Sequence, residues 1–131
     1  MRGWLILGLV LMACGGEDAA LMGERALRQG DLVEAERRFR SALDEAPDRV
    51  DALYGLGWVY HLTGASSRAR DYFMRCLRLD SNDHRGFKGL GSLALAEGNF
   101  QMAEKRFLEA LEKVPGDPAV TNSLALTYMG A

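Results

Sequence analysis

Two cysteines, three prolines and two histidines are all that this sequence of 131 residues holds of the types that build covalent staples, rigid turns and many metal sites. Two thiols are too few for a disulfide scaffold. His61 and His84 stand at no ligand spacing, and no Cys-x-x-Cys, His-Glu-x-x-His or glycine-rich phosphate loop occurs. No serine sits in a nucleophile elbow. The expectation is a protein with no catalytic residues, no metal and no cofactor. A charge bias is missing too: 16 Lys and Arg against 18 Asp and Glu leave a net charge of −2. No bulk field therefore draws the chain to nucleic acid. Trp4 to Ala13 is an unbroken run of apolar residues and glycine, but it is only 10 residues long. A helix needs about 20 to span a bilayer.

What is present is a phrase that returns. Gly30-Asp31-Leu32 leads to Ala35, Phe39, Ala42 and Leu43; Gly64 leads to Ala69, Phe73, Cys76 and Leu77; Gly98-Asn99-Phe100 leads to Ala103, Phe107, Ala110 and Leu111. Ala35, Ala69 and Ala103 are spaced by 34 residues, and a constant period of this length predicts a helix–turn–helix solenoid. In the same register Met22-Gly23, Leu56-Gly57, Leu90-Gly91 and Leu124-Ala125 mark a second helix in each unit. Seven helices are predicted, over about 17–29, 31–45, 50–63, 65–79, 84–97, 99–113 and 118–129. Gly30, Gly64 and Gly98 are placed to end first helices in the left-handed conformation. Asp48 and Asp117 are placed as N-caps, with Pro118 in a first turn. Gly57 and Gly91 should let their helices approach Ala69 and Ala103 closely, with Phe73 and Phe107 filling the space beside them. Cys76 occupies the small-residue slot of Ala42 and Ala110, so a buried, inert thiol is expected.

On these residues the chain resembles the tetratricopeptide repeat family, over roughly 16–131. Pro47 and Pro115 stand where that family has its proline, with Ser81 in the middle unit; Tyr60 and Tyr128 match its tyrosine, while Ala26 and Ala94 do not. Ala19, Leu53, Phe87 and Thr121 replace its tryptophan. The resemblance implies an all-α, right-handed α-solenoid of three helix–turn–helix repeats, about 16–49, 50–83 and 84–117, followed by a capping helix, 118–131. It also implies that first helices line a concave groove. In the middle unit the groove residues are then Asp51, Tyr54, Trp58, His61 and Leu62, and in the next Arg85, Lys88, Ser92, Leu95 and Ala96. Tyr54, Trp58 and His61 share one helix face, and Lys88 lies one period after Tyr54. Asp51, Tyr54, Trp58, His61, Arg85 and Lys88 are the candidate binding residues, suited to an extended or helical peptide with acidic or aromatic groups. A clamp for a chaperone's C-terminal carboxylate is excluded, because Ala20, Glu24, Gly55, Arg85 and Gly89 occupy the positions such family members need.

Two further surfaces stand out. In 118–131, Leu126 and Met129 fall at positions facing the groove or the end of the stack, while Tyr128 should pack inward. Leu126 and Met129 are a candidate surface for docking a partner or a second copy. The second helix of the middle unit carries Arg68, Arg70, Arg75 and Arg78 around Asp71, which reads as a solvated face, the alternative being contact with anionic headgroups or an acidic partner. Asp71 and Arg75 have i, i+4 spacing and should pair.

The first residues carry an address. A charged start, a short apolar stretch and small residues describe a secretory signal over 1–13, and Leu11-Met12-Ala13-Cys14 resembles the bacterial lipoprotein box. That resemblance implies cleavage before Cys14, lipidation of Cys14, a lipidated N-terminus over 14–16 and a repeat domain over 17–131. Gly15 in place of Asp points to the outer membrane, facing the periplasm. A plain signal peptide, giving a secreted or periplasmic protein, and a buried first helix are the alternatives. Together these features predict a membrane-anchored protein-interaction scaffold of the bacterial envelope, one setting being assembly of a pilus or secretion complex. The alternative is a self-associating structural lipoprotein that docks through its apolar last helix.

Overall fold

The computed structural model describes residues 16–131. They form seven helices and no strand: α1 (Ala19–Arg28), α2 (Leu32–Glu45), α3 (Val50–Leu62), α4 (Ser66–Leu79), α5 (His84–Ala96), α6 (Phe100–Lys113) and α7 (Pro118–Gly130). Each boundary lies within a residue or two of the expected one. The expected signal segment 1–13 and Cys14 lie outside the described residues.

Local chemistry sets these boundaries. Gly30, Gly64 and Gly98 have φ of 78°, 82° and 73°, a region that side chains with a β-carbon rarely enter. The amides just beyond them reach back to the helix, Asp31 N to Ala26 O at 2.9 Å, Ala65 N to Tyr60 O at 2.8 Å and Asn99 N to Ala94 O at 2.9 Å. That is the Schellman closure of a helix C-terminus. At the other ends, Asp31 accepts from the Glu34 amide at 3.1 Å, Asn99 from Met102 at 3.2 Å and Asp117 from Ala119 at 2.9 Å. Pro118 opens α7 as expected. Asp48 does not cap α3. The N-cap position is Arg49, which makes no side-chain cap bond. One period later it is Asp83 and one further Asp117, so the capping position falls one residue beyond Asp48.

The core is built from rings set against glycines. Phe39, Phe73 and Phe107 are fully buried. A β-carbon on Gly57 would collide with the Phe73 ring, and one on Gly91 would come within 2.6 Å of Phe107. The space freed by Gly57 and Gly91 is thus taken by the phenylalanine itself, with Ala69 and Ala103 buried beside it. Gly55 and Gly89, assigned no packing role by the sequence, do the same from the following unit, facing Phe39 and Phe73. Phe73 is therefore held between α3 and α5. This explains how the units lock together: Phe39 and Phe73 are each a contact within one repeat, against Gly23 and Gly57, and a bridge to the next, against Gly55 and Gly89. Cys76 is fully buried in the slot that Ala42 and Ala110 fill elsewhere.

The first helices of successive units touch, α1 with α3, α3 with α5 and α5 with α7, whereas α2, α4 and α6 each touch only first helices. First helices thus crowd together along an inner face and second helices splay apart on the outer one.

Tyr128 departs from expectation. It is 54% exposed, while Tyr60, two periods earlier, is 5% exposed. Both hydroxyls donate to the equivalent glutamate at 2.8 Å, Tyr60 to Glu36 and Tyr128 to Glu104. Only Tyr60 is covered by a neighbour, since Tyr72 of α4 stacks on it at 5.5 Å. The inward residue of that turn of α7 is Thr127, whose hydroxyl donates to Ser123 O at 2.8 Å. Nothing in the apolar pattern singled it out.

Candidate functional site

The inner face of α3 carries three rings in contact. Trp58 stands edge-on to Tyr54, with centroids 6.1 Å apart and planes at 87°, and edge-on to His61 at 5.3 Å and 69°. Beneath both Tyr54 and Trp58 lies buried Phe73, at 5.9 and 6.0 Å. Edge-to-face contacts of this kind add to the area term because the positive edge of one ring meets the negative face of the other. Phe73 holds Tyr54 and Trp58 up from below, so both remain partly exposed on a rigid base. Burial pushes the Tyr54 hydroxyl up to about 12 and lowers His61 below its ordinary value. Both are therefore neutral at physiological pH. A concavity of about 170 Å³ opens beside the rings, with Tyr54, Trp58 and Asp51 of α3 on one wall and Leu27, Arg28 and Glu24 of α1 on the other.

The charged groove residues are tied down. Arg49 bonds Asp51 at 2.9 Å and Asp18 at 2.7 Å. One period on, Asp83 bonds Arg85, with the Nε donating at 2.9 Å. The same two positions pair in both units with their signs exchanged. Lys88 lies 3.9 Å from Asp117, and His84 lies 3.8 Å from the same carboxylate. Spacing alone placed Lys88 one period after Tyr54. The structure gives it a carboxylate from the start of the next unit, so the groove offers ring surface rather than unmatched charge.

Leu126 and Met129 are 57% and 81% exposed. They sit two periods after Trp58 and His61, so α7 continues the inner face with apolar residues where α3 has aromatic ones. The chaperone-tail clamp is excluded on geometry as well. Ala20 is fully buried, and Gly55 and Gly89 are filled by phenylalanine rings. No group of His, Cys, Asp and Glu able to hold a metal ion occurs among the described residues. None of their helices is long and apolar enough to cross a membrane.

A tetratricopeptide repeat profile matches residues 20–84. Tetratricopeptide repeat protein 7B of Homo sapiens is 32% identical over 100 residues, covering 76% of this chain and 12% of that protein. The chain thus spans a small part of such relatives. Among solved structures, the Pseudomonas aeruginosa pilF protein superimposes with a TM-score of 0.77 at 24% identity, covering 85% of this chain and 51% of that one. The first such domain of Spaghetti (RPAP3), bound to an HSP90 peptide, gives 0.73 at 18% identity and covers 86% and 92%. At these identities the two structures are alike in fold. The period of 34, the glycine-closed helices and these likenesses agree: the chain belongs to the tetratricopeptide repeat family, an α-solenoid class that serves as a scaffold for protein–protein interaction.

Proposed function

We propose that this chain is a membrane-anchored adaptor of the bacterial envelope that holds a peptide or helix of a partner protein in its inner groove. The observation that carries the reading is Trp58, held partly exposed between Tyr54 and His61 on a floor of Phe73. Exposed, pre-ordered Tyr and Trp are typical of binding hot spots because little side-chain entropy is lost when they are covered. With Asp51, Arg85 and Lys88 already partnered, the ligand meets the groove through aromatic or apolar side chains. Lipidated Cys14 ties the adaptor to the outer membrane on its periplasmic side, a reading supported by Leu11-Met12-Ala13-Cys14. Assembly of a pilus or secretion complex is one setting for such an adaptor.

The test is crosslinking in envelope membranes, read by mass spectrometry, with the natural chain, Cys14→Ser, and Trp58→Ala combined with Lys88→Ala. One stoichiometric partner, lost in the groove variant and displaced from membranes with Cys14→Ser, is expected. Equal capture by the natural chain and the groove variant would sink the groove reading.

A second reading rests on the exposure of Leu126 and Met129: a second copy docks on α7. It requires a concentration-dependent dimer that is lost in Leu126→Glu with Met129→Glu, and a monomer at high concentration excludes it.

A further inference from the structure

The outer face carries a second concavity, distinct from the groove and without a part in the function proposed above. Because α2 and α4 do not touch, an open cleft of about 480 Å³ lies between them. Its walls include Tyr60, Tyr72 and the guanidinium groups of Arg40, Arg68, Arg75 and Arg78, with a single carboxylate, Asp71. Arg40 is neutralised by Glu36 at 2.9 Å. Arg68, Arg75 and Arg78 take part in none of the ion pairs found among the described residues. Asp71 and Arg75, which helical spacing would pair, do not. Arg75 instead lies over the Tyr72 ring, 5.3 Å from its centroid, and Arg68 over Tyr60 at 5.5 Å. The two rings are themselves stacked, 16° from parallel.

Arg68 and Arg78 are exposed and Arg75 is partly exposed, so all three guanidinium groups are open to a ligand from solvent. Three arginines without an ion pair line one cleft in a chain whose net charge is −2, and ring faces lie under two of them, with Glu36 near Arg68 and Asp44 and Asp48 in the hollows that adjoin Arg75 and Arg78. A guanidinium on an aromatic face keeps its outward N–H fork free for an anion. α4 uses Arg at all four of its basic positions and Lys at none. Arg is favoured where two parallel N–H bonds meet the oxygens of a phosphate or carboxylate. The cations also have a fixed layout. Arg68 stands two turns, or about 10 Å, from Arg75 along the helix, and Arg78 follows Arg75 by a further turn. The ring pair and Asp71 lie between Arg68 and Arg75. Two separated anionic groups answer this pattern better than one. A phosphoryl group, with several acceptor oxygens and up to two charges, satisfies a pair such as Arg75 and Arg78 better than the two oxygens of one carboxylate. Asp71 can accept only from a donor, and a hydroxyl supplies one without adding charge. The volume suits a small ligand.

We propose that the cleft between α2 and α4 binds a bisphosphate, two phosphoryl groups joined by a short hydroxyl-bearing linker, with Arg68 at one end and Arg75 and Arg78 at the other. That chemistry occurs in soluble sugar bisphosphates and in the headgroup of cardiolipin.

The test uses the full chain carrying Cys14→Ser, so that no acyl anchor contributes, and two probes, fructose 1,6-bisphosphate followed by calorimetry, and cardiolipin-containing phosphatidylcholine vesicles followed by co-sedimentation, with phosphatidylcholine vesicles alone as the baseline. Arg68→Gln and Arg75→Gln, singly and together, are compared with Arg37→Gln plus Lys105→Gln, which removes the same charge away from the cleft. Thermal denaturation confirms that each variant is folded. At least one probe should bind, and glucose 6-phosphate or phosphatidylglycerol vesicles should bind about tenfold more weakly, a difference of about 1.4 kcal/mol. The double cleft variant should lose at least about tenfold in affinity and the charge-matched control about twofold or less. Binding of the soluble probe alone assigns the site to a metabolite, and binding of vesicles alone assigns it to a headgroup. Absence of binding by both probes, equal affinity for the monophosphates, or equal losses in the cleft variant and the control would overturn the proposal.

Discussion

Gly89 of α5 leaves no room for a β-carbon, because the ring of Phe73 from the preceding unit fills that space. The pair joins two repeats at a point where sequence spacing suggested only a missing clamp residue. Since α4 and α5 belong to different units, the contact also fixes how one repeat is rotated on the next.

Gly89→Ala should therefore destabilise the protein even though alanine is the better helix former, worth about 1 kcal/mol over glycine in an open helix. Phe73 is fully buried between α3 and α5 and has little room to retreat. The overpacking cost of about 1–3 kcal/mol should outweigh the propensity gain. Urea denaturation of Gly89→Ala beside an exposed helix control measures this. A variant more stable than the natural protein would show that the ring is free to shift.

Acid should weaken the array by a defined route. Arg85's side-chain bond holds the Asp83 carboxyl below its ordinary value of 3.8, helped by the Arg85 amide. The Tyr60 hydroxyl, followed by Arg40, lowers Glu36 from 4.5. A carboxyl whose folded value is depressed adds stability above its unfolded value and loses it as pH falls through the folded one. The melting temperature should thus be flat near neutrality and fall once pH drops below about 4.5. In Asp83→Asn it should start lower and fall less steeply over that range. Parallel curves for the two proteins would mean that Asp83 does not contribute.

Cys76 should stay silent until the protein opens. Its thiol is fully buried, and burial pushes its ionisation up to about 11, so little thiolate forms at pH 8. In a Cys14→Ser background, an aromatic disulfide reagent should react with Cys76 only at the rate of unfolding, accelerating with urea. Immediate reaction in the native protein would refute the packed slot shared with Ala42 and Ala110.

At the groove, Trp58→Ala should weaken partner binding by about 2 kcal/mol or more, the range of a central hot spot. Its cost to folding should be smaller than that of Phe73→Ala, because Trp58 is only half-buried and Phe73 fully so. Lys88→Ala alone should act weakly on binding, since Asp117 already holds that ammonium. Titration calorimetry with the identified partner separates the two. A larger loss for Lys88→Ala than for Trp58→Ala would transfer the hot spot to charge.

The sequence by itself determined the seven helices, their glycine-closed ends, the period of 34 and the small slots of Ala69, Cys76 and Ala103. These depend on local backbone preference and on a spacing that any reader of the chain can count. It also put Tyr54, Trp58 and His61 on one face, because they share one helix. The tertiary structure alone decided what met across helices. Asp18 at the start of α1 takes Arg49, Asp117 at the start of α7 takes Lys88, and Tyr72 of α4 stacks on Tyr60 of α3. It decided that Tyr60 is covered and Tyr128 is not, and that α2 and α4 part to open a cationic cleft. The reason is geometric. Residues on one helix inherit their neighbours from a fixed rise and turn, whereas residues on different helices meet according to the angle at which units stack, which the packing of Phe39 and Phe73 against Gly55 and Gly89 sets.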